Sequence, residues 1–96
     1  LTYTDKIDDG DYKIDSYEEL KEKNLGKTDM ETKYNMLRDL RQQLYEGSLR
    51  EPQDSRSANL AIYANGLTDD LLNLTWVQFK TLLYARLQDI HTIINR

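Results

Sequence analysis

The chain contains no cysteine. That excludes disulfides and thiolate chemistry, and it leaves the redox compartment open, because a protein without thiols can live anywhere. Proline, phenylalanine, tryptophan and histidine occur once each. The four glycines are scattered, so no glycine-rich phosphate cradle exists. No apolar run approaches the roughly 20 residues needed to cross a bilayer, and no signal-peptide pattern is present. A soluble protein is expected. The chain begins at Leu1 rather than Met, so we expect a domain excised or processed from a longer product.

What remains is ordinary globular material: 96 residues, 39% hydrophobic and 31% charged. A chain this short is expected to have a net stability of only about 5–10 kcal/mol. The net charge of −4 is unevenly spread. Residues 1–31 hold ten acids against five lysines, whereas the remainder is close to neutral. An acidic leading third repels phosphate backbones and favours a basic partner, if it favours any.

Helix punctuation is legible. Ser16 with Glu19, Thr28 with Glu31, and Thr75 with Gln78 all have capping-box spacing, in which each end of the pair satisfies an orphan amide of the other. Leu74 and Phe79 occupy the two positions of a hydrophobic staple around the last box. Gly26, Gly47 and Gly66 each follow a helical stretch, where a left-handed stop residue is wanted. These signals predict helices at 17–24, 29–46, 58–65 and 76–95, with a short turn at 69–73. "SLREPQDSRS", 48–57, reads as the main loop. Residues 1–15 form a separate segment ahead of a helical domain at 16–96. In that segment Leu1, Tyr3 and Ile7 share one parity, and Tyr12 and Ile14 alternate after "DDGD", which suits a β-hairpin or an extended arm. The fold class is therefore mainly α, a small three- to four-helix bundle with that hairpin or arm.

The last helix is the most sharply patterned. At the helical advance of about 100° per residue, Leu82, Ile93, Phe79, Ile90, Leu83, Trp76, Ile94 and Leu87 fall within an arc of about 140°. A core-facing stripe needs about 100°, so a helix this broad is most simply the central one of a small bundle, touching two neighbours, or else keeps part of its face for a partner. Val77 and Tyr84 make a smaller patch, and Thr81, Thr92, Gln78, Gln88 and Asp89 lie on the opposite side. Arg86 sits inside the main arc, between Ile93 and Phe79, where an unpaired guanidinium must pair, snorkel or mark a surface. Arginine beside Phe and Ile is the composition of interface hot spots. The helix at 29–46 is similarly broad, with Tyr34, Arg41 and Tyr45 along one side.

No catalytic constellation emerges. His91 lies late in a helix, where the dipole accounts for it without a function, and Ser16, Ser48, Ser55 and Ser57 read as caps or loop residues. "DKIDDGDYKIDS" resembles a calcium loop with Asp5 first and Gly10 sixth. Ile7 and Ser16, however, occupy positions where ligands are required. No metal, cofactor or small-molecule substrate is expected. By elimination the expected function is a non-enzymatic protein-binding module, a regulator, inhibitor or assembly adaptor. Its partner would dock on Arg86, Phe79, Leu82 and Ile93 or on Tyr34, Arg41 and Tyr45. A self-associating subunit is the first alternative. The second is a helical nucleic-acid binder using Arg38, Arg41, Arg50 and Arg56, although the polar loop at 48–57 does not suit a tight helix-turn-helix. Membrane-surface binding is not expected, because the helices lack a lysine-rich polar face.

Overall fold

Capping chemistry sets where the helices begin. In a computed structural model, which describes residues 5–95, α1 (Tyr17–Glu22) starts at Ser16 and α4 (Trp76–Ile94) at Thr75, each with both halves of its capping box made. At the start of α2 (Asp29–Ser48) Thr28 accepts from the Glu31 amide. The Glu31 carboxylate takes the Thr28 hydroxyl rather than its backbone N–H. The helix α3 (Ser55–Asn65) begins three residues earlier than the pattern predicts. Asp54 caps it, accepting from the Arg56 and Ser57 amides, while the Ser57 hydroxyl accepts from the Asp54 amide. A serine in the third helical position closes the box as glutamate would, so part of the expected loop is helix. A 3-10 turn covers Asp69–Asn73, as predicted.

The glycines divide by role. Gly26 has φ +83° and ends the α1 region in the left-handed conformation that the sequence suggests. Gly66 does not, having φ −80°. Gly47 is not a stop at all, since α2 runs through it to Ser48. A Cβ there would stand 2.9 Å from Leu60 Cδ1 and 3.1 Å from the Tyr12 ring. Its purpose is close approach of α2 to α3 and the hairpin.

That hairpin is ordered, β1 (Ile7–Asp9) pairing antiparallel with β2 (Tyr12–Ile14) and Ile7 facing Ile14. The two-residue loop is Gly10–Asp11 rather than Asp9–Gly10, with Gly10 at φ +57°, where a primed turn wants glycine first. An isolated two-stranded ribbon is marginal in water. This one survives because Ile7, Tyr12 and Ile14 are buried in the common core with β2 against α2. Leu1 and Tyr3, grouped with Ile7 by parity, lie outside the described residues.

The core is one cluster joining every α-helix: Leu20 of α1, Met36, Leu37, Leu40 and Leu44 of α2, Leu60 of α3, and Phe79, Leu83, Leu87 and Ile90 of α4. Each fully buried side chain of this size contributes about 1.5–3 kcal/mol. The helices α2 and α3 pack most extensively, and α4 lies against α3 and α1. The described residues form a mainly α-helical bundle with an N-terminal hairpin, and no helix among them is long and apolar enough to cross a membrane.

Candidate docking surface

The α4 face predicted for a partner is largely spent inside the chain. Phe79 is fully buried, its ring meeting Trp76 edge-on at 5.7 Å. Ile93 is 6% exposed. The wide arc is wide because α4 touches both α1 and α3, so the expectation of Phe79 and Ile93 as contact residues is corrected. Leu82, at the edge of the same arc, and Arg86, within it, remain half-buried. No carboxylate among the described residues reaches Arg86. Asp89 instead accepts from the Tyr63 hydroxyl at 3.4 Å. Among the described residues Arg86 makes no hydrogen bond and no ion pair.

The exposed apolar surface of α4 lies on its other side. Leu74, Val77, Gln78, Thr81, Leu82 and Ala85 line a shallow groove of about 480 Å³, and Val77 is 76% exposed. A cleft beside Trp76, lined by Lys21, Lys27, Asp29 and Thr32, is only about 250 Å³ and mixes charges of both signs. Sequence reading assigned Val77 to a minor patch and Thr81 and Gln78 to a solvated side. The signal it passed over was the missing charge: Val77, Thr81 and Ala85 stand four residues apart, one above another on the helix, and none of the six lining residues is ionisable.

The other predicted side survives as a stripe along α2. Tyr34 is 44% and Tyr45 40% exposed, with Arg41 between them. It is already engaged. Arg41 Nη1 donates to the Leu67 carbonyl at 3.0 Å and to Asp69 at 3.3 Å, and the Tyr45 hydroxyl bonds Asn65. The remaining arginines proposed for nucleic acid are engaged as well. Arg38 pairs with Asp39, Arg50 with Asp11 and Asp54, and Arg56 with Asp54 and with the Ile94 carbonyl that ends α4. Arg50 and Arg56 also flank the Tyr12 ring, each at 5.2 Å. Lys33 is buried, its ammonium donating to the Leu74 carbonyl at 2.6 Å and resting over Trp76.

His91 is likewise structural. It is buried, and its Nε2 meets the Asp5 carbonyl at 2.6 Å, holding the start of the hairpin segment to α4. Among the described residues no group of three or more His, Cys, Asp or Glu side chains is arranged to hold a metal ion. On the edge of α4 facing α1, Tyr84 bonds Glu18 and stacks at 5.0 Å on Tyr17, with Lys80 above both rings. Burial, and then the neighbouring Glu18, push the Tyr17 hydroxyl pKa above its ordinary value. No family model matches the chain, and no curated protein or solved structure is significantly similar to it.

Proposed function

We propose that this chain is a non-enzymatic protein-binding module that docks its partner on the outer side of α4. One observation carries the reading: a groove lined by Leu74, Val77, Gln78, Thr81, Leu82 and Ala85 without a charged side chain, with Val77 76% exposed, on a protein of which 31% is charged. The exposed side of a soluble helix is ordinarily its polar side, and rimmed apolar patches mark interaction sites. Small side chains at Thr81 and Ala85 let another helix approach closely, and Val77 and Leu82 supply the apolar body. The nucleic-acid alternative has less support, because its four arginines already answer carboxylates or carbonyls of the same chain.

Photo-cross-linking in the native cells tests this. A cross-linking residue at position 77 is expected to give one discrete heavier adduct that disappears when Leu82→Glu is added. The same residue at Gln42, exposed on α2, is expected to give none. Equal adducts from the two positions, or an adduct indifferent to Leu82→Glu, would sink the reading.

A further inference from the structure

Resting on the docking reading above, we propose that the occupant of the α4 groove is an acidic amphipathic helix of another protein, with a carboxylate that pairs with Arg86. Of the five arginines among the described residues, Arg38, Arg41, Arg50 and Arg56 each bond a carboxylate, and Arg86 bonds nothing. It is nevertheless half-buried. A guanidinium stripped of part of its water and left without an anion is unfavourable, and a carboxylate matches its fork of donors. Helical side chains lean toward the N-terminus, which carries Arg86 back over the turn holding Leu82, at the edge of the groove.

Charge distribution selects the partner. Of the charged side chains of α4, Lys80 lies over the Tyr17 and Tyr84 rings on the edge facing α1. Asp89, its one acid, accepts from the Tyr63 hydroxyl, which leaves Arg86 as the charge beside the groove. A second copy seated on this side offers Arg86 no carboxylate from the groove itself, because a two-fold interface presents the same patch twice and none of the groove's lining residues is acidic. An acidic helix meets Arg86 with opposite charge. From Trp76 to Ala85 the groove runs along about 14 Å of helix rise, enough for a partner to set down apolar anchors on successive turns.

A display library of amphipathic helices about 18 residues long, with fixed leucine anchors and randomised flanks, tests the chemistry. It is sorted on the whole chain and counter-sorted on the Thr81→Arg variant, whose exposed site leaves the fold intact. The clones lost on Thr81→Arg are expected to be acidic and to bind Arg86→Glu at least about tenfold more weakly, with an intermediate loss for Arg86→Gln. Changing the clone's acid to lysine is expected to restore binding to Arg86→Glu. Thr81-dependent clones with neutral or basic flanks, binding Arg86→Glu undiminished, would overturn the acidic partner and leave the docking surface standing. The absence of any Thr81-dependent clone would remove both. A solution mass near twice 11.3 kDa that Thr81→Arg abolishes would also overturn the proposal, by making the occupant a second copy.

Discussion

The helices α2 and α4 are near twins in length, 20 and 19 residues, and both turn a continuous apolar side to the core. They part company on the outside. The exposed side of α2 carries Asp29, Met30, Glu31, Tyr34, Arg38, Gln42, Tyr45 and Glu46, and Arg41 and Tyr45 tie it to the end of α3 and the segment after it. The exposed side of α4 carries Val77, Gln78, Thr81, Ala85, Gln88 and Thr92, with the exposed Lys80 and Asp89 at its flanks. An inward side is dictated by packing, so its apolar character explains itself. The outward side is under no such demand from the fold. Where it is charged, solubility accounts for it, and where it is apolar, as at Val77, the proposed docking supplies a reason that the fold does not.

The inner sides provide the largest effects and the first way to break this comparison. Leu40 of α2 and Leu83 of α4 are both 0% exposed. Leu40→Ala and Leu83→Ala are each expected to cost about 2–5 kcal/mol in urea denaturation, a large share of the whole. A cost below about 1 kcal/mol for Leu83→Ala would mean that α4 is not built into the core as α2 is.

Gly47 sharpens the point on the α2 side. Gly47→Ala gains up to about 1 kcal/mol of helix propensity. The new methyl meets Leu60 and the Tyr12 ring in a filled core, and overpacking typically costs about 1–3 kcal/mol. A net loss near 1 kcal/mol is expected. An unchanged or raised urea midpoint would show that Leu60 and Tyr12 move aside easily.

The same two helices mark what could be read from the residues in order. Helix starts were legible because capping is local: Ser16, Thr28 and Thr75 announce themselves within four residues. Asp54 escaped notice because its partner in the box is Ser57 rather than a glutamate. Gly47 was misread because a glycine that ends a helix and one that lets two helices touch look alike until the neighbour is known. Phe79 and Ile93 were misassigned for a related reason. An apolar arc this broad suits a helix with two neighbours as well as one with a partner, and the packing of α4 against α1 and α3 decides for the former. Arg86 drew notice as a cation within apolar surroundings, and only the positions of the other carboxylates could show that none answers it. Val77 was undervalued because apolar residues were counted and missing charges were not.

A gentler contrast lies in pH. The α2–α3 side is held partly by ion pairs and α4's groove by none. At Asp54, hydrogen bonding from the Ser57 amide comes first and the Arg56 and Arg50 guanidinia follow in holding the carboxyl below its usual range. A carboxyl more acidic in the folded state than in the unfolded one stabilises the fold above the ordinary aspartate pKa of about 3.9, and that contribution fades as the pH falls through the lowered value. Stability is therefore expected to drop between about pH 5 and pH 2. Asp54→Asn should be less stable than the parent at neutral pH and lose less on acidification. Identical acid profiles for the two proteins would take Asp54 out of this part of the ledger.

The smallest effect on the fold is the most telling for the groove. Val77 is the second residue of α4, 76% exposed. Glutamate there would lose little burial. It would also place a negative charge at the positive end of the helix dipole, three residues before Lys80, each contribution worth a few tenths of a kcal/mol. Glutamate is in addition the better helix former. Val77→Glu is thus expected to raise the stability of the free chain by about 0.5 kcal/mol, measured as a small increase in urea midpoint, while abolishing docking. Valine then stands at position 77 against the interest of the fold, which is what a contact residue does. A fall of more than about 0.5 kcal/mol would instead show that the side chain is held by its own protein, and α4's outer side would lose its claim to differ from that of α2.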